Sequence, residues 1–210
     1  MKRHLYYALL ILVLFISAGC RFFSGNNDDD TLLYYLTAAA EAESVAEWES
    51  VSAGYSHTLA IKNTGSLWAW GLNNYGQLGN GKWRPETAPV RIGFASDWSK
   101  VSGGTWHSLA IKNGGTLWAW GYNWYGQLGN GFNTDEKRPI LSSGSFGWAD
   151  VSAGGFHSMA LKSDGTLWAC GRNDYGQLGD GTTEFRNVFV RIGKNAAWSS
   201  VSAGMYHTLA

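Results

Sequence analysis

Charge, cysteine and long apolar runs are all scarce in this chain of 210 residues. Lys+Arg and Asp+Glu number 16 each, the charged share is 15%, and the net charge is zero. General attraction to nucleic acid needs a basic excess, so no nucleic-acid partner is expected. Cys20 and Cys170 are the only cysteines. They fall in different kinds of segment, which excludes a disulfide framework. The one unbroken apolar run, LYYALLILVLFI at residues 5–16, falls short of the roughly 20 residues that span a bilayer comfortably. What is plentiful is glycine (28 residues) and tryptophan (12). Glycine punctuation between aromatic strands is an all-β signature.

The short run follows a basic start, Met1-Lys-Arg-His, and precedes Ser17-Ala18-Gly19-Cys20. Basic start, short apolar run and small residues together read as a secretory signal peptide over residues 1–19. Cys20 stands where the lipobox of bacterial lipoproteins places its lipidated cysteine, although Ser17 occupies a position where leucine is usual. The resemblance implies a lipid anchor at Cys20 and a place in the cell envelope or on the outer surface; plain secretion is the alternative. Residues 20–47 continue with an acidic tether containing three consecutive aspartates. An Ala-, Leu- and Glu-rich stretch follows, which Asp30 or Thr31 would cap as a short helix; a disordered stalk is the alternative.

From Trp48 onward the chain repeats every 50 residues. Residues 48–97, 98–147 and 148–197 are whole copies, and residues 198–210 open a fourth. A fixed period near 50 means a repeat architecture, with the four-stranded propeller blade as its leading β form. In the middle copy HSLAIK (residues 107–112) alternates, Asn113-Gly114-Gly115 turns, and TLWAWG (residues 116–121) returns. Glycine supplies the positive φ that tight hairpins need. Leu117 and Ala119 face one way and Trp118 and Trp120 the other. Both faces are apolar, so both need covering, and blades stacked face to face do that. The glycine-rich stretch Asn-x-x-Tyr-Gly-Gln-Leu-Gly-Asn/Asp-Gly follows as a loop in each whole copy. An outer strand closes the copy, PVRIG at residues 89–93 and FVRIG at residues 189–193; the second copy departs, with Pro139-Ile-Leu-Ser.

The Val-Ser-Ala/Gly-Gly-x-x-His-Ser/Thr-Leu/Met-Ala, Gly-Thr/Ser-Leu-Trp-Ala-Trp/Cys-Gly and Tyr-Gly-Gln-Leu-Gly-Asn/Asp-Gly stretches resemble the regulator of chromosome condensation (RCC1) repeat family. The resemblance covers nearly everything from Trp48 to Ala210 and implies a seven-bladed β-propeller. Three blades and the start of a fourth make a partial propeller, since seven would need about 350 residues at this period. The expectation is therefore an incomplete product of a longer gene, with several chains sharing one ring as the alternative. Either way, missing blades or other chains are needed for closure.

Features that recur in every copy are explained by blade construction. His57, His107, His157 and His207 belong to four blades, whereas metal ligands must all come within about 2 Å of one ion. No metal or other cofactor is expected, and hydrogen bonds from the imidazoles to neighbouring backbone are. His107-Ser108 and His157-Ser158 are strand neighbours that point to opposite faces, not a catalytic pair. Gly76 to Lys82 imitates a phosphate loop, but Trp83 stands where the Ser/Thr should be, and the sibling loops put Phe132 and Thr182 where Lys82 is. Cys170, where siblings carry Trp70 and Trp120, reads as a small buried substitute.

A binding site is sought in what does not recur. Trp83 replaces Asn133 and Thr183, and Trp124 replaces Asn74 and Asp174. Tyr122 and Phe132 lie nearby in sequence. Exposed aromatics are favoured partner anchors, so Trp83, Trp124, Tyr122 and Phe132 are the candidate binding residues, with loops packing on their own blade as the competing explanation. The function expected is a non-catalytic, membrane-anchored protein-binding module outside the cytoplasm. Some similar propellers are nucleotide exchange factors, which fits poorly with export. Others inhibit β-lactamase, which makes inhibition of an extracytoplasmic enzyme the alternative, with carbohydrate binding behind it.

Overall fold

The computed structural model describes residues 47–194 and 197–210. The signal segment, Cys20 and the stalk up to residue 46 lie outside the described residues. Three sheets of four strands follow one another along the chain, each an up-and-down meander. The first contains β1 (Trp48–Ala53), β2 (His57–Lys62), β3 (Leu67–Gly71) and β4 (Glu86–Arg91). The second runs through β5 (Trp98–Gly103), β6 (His107–Lys112), β7 (Leu117–Gly121) and β8 (Glu136–Leu141). The third has β9 (Trp148–Ala153), β10 (His157–Lys162), β11 (Leu167–Gly171) and β12 (Arg186–Ile192). Two short strands, β13 (Ser202–Ala203) and β14 (Thr208–Leu209), pair as the beginning of a fourth. All the described structure is strand and loop, and the blades form an open array.

The inner hairpin matches the sequence reading: Gly65, Gly115 and Gly165 take φ near +70 to +80° at the turn (73°, 69° and 79°). Two boundaries differ. The first strand of each blade begins at the tryptophan, three residues before the valine, and carries an irregular pairing near its start. The outer strand begins at Glu86 or Glu136, ahead of the proline. Pro89 and Pro139 are tolerated because they sit on an edge strand beside a register break, where a missing N–H forfeits no ladder bond. The divergent second copy therefore still makes its outer strand.

The core lies between blades. Leu59, Ile61, Leu67, Ala69 and Leu78 of the first blade pack with Trp98, Ala110 and Trp120 of the second in one buried cluster. The next seam repeats this with Leu109, Ile111, Leu117 and Leu128 against Trp148, Val151 and Ala160. Each fully buried large apolar side chain contributes about 1.5–3 kcal/mol. The leading face of the first blade has no such cover among the described residues: Trp48 is 49% exposed, whereas its sibling Trp98 is 5% exposed.

Candidate functional site

Consecutive strands run between two ends of each blade. The turn after the His strand lies at one end, and the glycine-rich loop at the other. At the loop end, Asn73 knits its own loop: its Oδ1 accepts the Leu78 amide at 3.0 Å, and its Nδ2 donates to the Lys82 carbonyl at 2.9 Å. Asn123 and Asn173 repeat both bonds. Within the imitation phosphate loop, Lys82 pairs with Glu86 at 2.9 Å.

Held this way, the loop aims the Gln77 carbonyl at the next blade. It accepts from Ser108 Oγ at 2.8 Å and from Trp120 Nε1 at 2.8 Å. Ser108 Oγ also meets His57 Nε2 at 2.9 Å. Because the hydroxyl proton goes to the Gln77 carbonyl, the imidazole must donate, which fixes the Nε2–H tautomer. His107, Ser158 and Gln127 repeat the clamp, as do His157, Thr208 and Gln177. The partner of His57, His107 and His157 is thus a hydroxyl of the following blade. This corrects the expectation of a backbone partner: the blades approach so closely that the side chain from the next sheet arrives first. His107 and Ser108 do point to opposite faces, each into a different seam.

The other ring nitrogen, Nδ1, is buried without a hydrogen-bond partner on His57, His107 and His157. Protonating it would bury an unpaired charge. Burial accordingly lowers the pKa to about 4 at His57, about 3 at His107, where His157 and His57 add to the effect, and about 4 at His157. The motif's second glycine makes room for the ring: a Cβ on Gly104 would stand 2.6 Å from His107 Nδ1 and 2.7 Å from the Gly154 carbonyl.

Cys170 is fully buried and takes the place of Trp120, with Sγ 3.4 Å from the Gln127 carbonyl. Burial raises its thiol pKa well above the ordinary value. The volume that tryptophan would fill is taken by Phe189, which packs with Cys170 around Gly129; in the preceding seam Trp120 and Pro139 surround Gly79. The second blade's departure from pattern also has a result. Ser142 stands where Ile92 and Ile192 stand, buried, with its hydroxyl on the Leu128 carbonyl. A cavity of about 260 Å³ opens beside it, walled by Trp148, Trp168 and Phe189.

Chemistry that varies between blades gathers at the loop end, in a belt of aromatic rings. Tyr75 stacks on Trp106 at 4.9 Å between centroids, and Tyr122 meets both edge-on, at 5.0 and 5.5 Å. Trp106 leads to Phe156 (5.4 Å), Phe156 to Tyr125 (5.5 Å) and Tyr125 to Phe185 (5.2 Å). Arg172 continues the belt, its guanidinium 5.1 to 5.9 Å from the rings of Tyr125, Tyr175, Tyr206 and Phe156. Asp174 holds that guanidinium at 2.5 Å. Tyr175 and Tyr206 touch at 5.6 Å, and Tyr175 is 69% exposed.

Of the four sequence candidates, the structure brings Tyr122 into this belt. Trp83, Trp124 and Phe132 are on loops at the same end and are exposed, Trp124 by 70%, with no ring contact among the described residues. Lys137 lies over Trp83 at 5.6 Å, and the Trp124 carbonyl accepts from Asn133 at 2.9 Å. Sequence reasoning missed Trp106, Phe156 and Tyr206, which precede the recurring histidine and replace one another and Ser56. The rule that found Tyr122 finds these when applied at that position. It cannot find Tyr75, Tyr125 and Tyr175, which recur and were assigned to blade construction.

Comparison with known proteins agrees with this architecture. Human WBSCR16 superposes with a TM-score of 0.68 at 22% identity, over 78% of this chain and 44% of that one. Prp20p of Saccharomyces cerevisiae, whose structure is described with its binding to Gsp1p and histones, gives 0.67 at 22% identity, over 75% and 42%. The same yeast protein bound to Kap60 gives 0.67 at 24% identity, over 78% and 41%. The chain thus spans less than half the length of these solved relatives. Among curated sequences, the ultraviolet-B receptor UVR8 of Arabidopsis thaliana is 37% identical over 54 residues, 26% of this chain and 12% of that one. The family model for the regulator of chromosome condensation (RCC1) repeat matches residues 64–111, 114–161 and 164–210, most of the chain. With its blades, its loops and its seams all built from that one repeat, the chain belongs to the RCC1 repeat family.

Proposed function

We propose that this chain is a non-catalytic protein-binding module whose contact surface is the aromatic belt at the loop end. The observation that carries the reading is the belt's continuity: ring contacts and Arg172 link every repeat from Tyr75 to Tyr206. Tyrosine, tryptophan and arginine are the residues that dominate protein interfaces. Trp83, Trp124 and Phe132, on the loops of the same end, extend the surface. The buried histidines and hydroxyls are spent on holding blades together and are unavailable for chemistry. The leader sequence supports a lipid anchor at Cys20 and a place in the cell envelope, where the belt would meet an extracytoplasmic protein.

A photo-crosslinking amino acid placed at Tyr175 or Tyr206 in the expressing cell, and at Phe94 on the opposite end, tests the belt. Discrete protein adducts from the first two alone are expected; equal adducts from Phe94, or none from the belt, refute the reading. Incorporation of labelled palmitate that disappears in Cys20→Ser tests the anchor; labelling unchanged in the variant, or no labelling of the parent, refutes it.

A further inference from the structure

The belt passes two equivalent seams, and they are furnished differently. In the seam between the second and third blades, Tyr125, Phe156 and Phe185 are joined by Arg172. One repeat earlier, Tyr75 and Trp106 stand for Tyr125 and Phe156. Tyr122 occupies the Arg172 position, and Asp135 the Phe185 position. The later seam thus has its cation built in, with Asp174 as counter-ion. The earlier one has rings and a carboxylate but no cation. Among the described residues Asp135 pairs with no lysine or arginine, and its one hydrogen bond is from the Asn123 amide at 2.8 Å, which pins it next to Tyr122. Asp135, Tyr75, Trp106 and Tyr122 are all half-buried, so the seat is shielded yet reachable.

We propose that Tyr75, Trp106, Tyr122 and Asp135 form a seat for an arginine side chain of the protein partner. The guanidinium would lie over the rings, which attract cations through their π faces, and would donate to the Asp135 carboxylate in a charge-assisted bond. Arg172 shows that rings of this belt pack round such a group, with four rings and one carboxylate about it. In the earlier seam its place is taken by the Tyr122 ring, so the partner's group would add to that cluster. Arginine fits better than lysine because its plane stacks while its edge reaches the acid. A desolvated carboxylate lacking a cation also accounts for the direction of its titration: burial raises the Asp135 pKa, against the opposing Asn123 amide. Asp135 in turn helps to raise the Tyr122 pKa, after burial and Tyr125.

The inference rests on the belt being the contact surface, and its test is independent of the partner's identity. Acetyl-Gly-Arg-Gly-amide and its citrulline counterpart, which keeps shape and loses charge, are titrated calorimetrically into the full chain. The arginine peptide is expected to bind about ten-fold more tightly than the citrulline one. Asp135→Asn should remove that preference, and Asp174→Asn, in the other seam, should preserve it. Tyr122→Leu should weaken arginine binding several-fold; the fold tolerates leucine there, as Leu72 shows in the first blade, so loss of binding in this variant is not loss of structure. Equal binding of the two peptides, no binding of either, or a preference that survives Asp135→Asn overturns the seat. Belt crosslinks that persist in that event leave the surface standing with a different anchor; absence of belt crosslinks removes the surface itself.

Discussion

Acid should unfold this protein earlier than its carboxylates require, because of the interblade histidines. His57, His107 and His157 have folded-state pKa values of about 4, about 3 and about 4, against 6.5 when unfolded. Below pH 6.5 the unfolded chain binds more protons than the folded one, so stability falls as pH drops. Their contribution is complete above pH 6.5 and is lost progressively down to the folded values. Each histidine costs about 1.4 kcal/mol per pH unit in that range. Between pH 6.5 and 5, three together cost about 5 kcal/mol, comparable to the whole stability of a small domain. Urea unfolding followed by tryptophan fluorescence at half-unit steps from pH 7.5 to 5 measures the slope. His107→Gln should reduce it by about a third, whatever its effect at pH 7. A midpoint that does not move between pH 7 and 5, or a slope unchanged in the variant, would refute the buried neutral imidazoles.

Gly104→Ala should destabilise by about 3 kcal/mol or more, because the new Cβ meets an imidazole and a carbonyl of the next blade. Gly114→Ala, where a Cβ meets nothing within 4 Å, should be neutral or slightly stabilising in the same denaturation assay. Ser142→Ile restores the residue used by the flanking blades and should raise the melting temperature through about 1 kcal/mol of added apolar contact in the seam cavity. Cys170→Trp alone should destabilise through collision with Phe189; adding Phe189→Pro recreates the Trp120–Pro139 pairing and should recover most of the loss, a coupling that a double-mutant cycle reads directly.

The blade itself is written in the sequence because its determinants are local: two-residue alternation, a turn glycine, and a period of 50. What joins blades is less legible. The histidine and the hydroxyl it meets are 51 residues apart, and the carbonyl sharing that hydroxyl is 31 away. No pattern within one repeat reveals that pairing. The Ser142 departure was visible as an irregular strand, but its cavity follows only from the tryptophans across the seam. Tyr122 was legible by its failure to recur. Tyr175 was hidden by recurring, since one side chain can build a loop and also face solvent.

The clamp gives every blade two unlike sides. One presents an imidazole and a glutamine carbonyl; the other presents a hydroxyl with an indole or thiol beside it. Two like sides brought together would set imidazole and carbonyl against their own copies, or hydroxyl against hydroxyl, and neither arrangement rebuilds the three-group clamp. Association that rebuilds the clamp must therefore run head to tail, in a single direction.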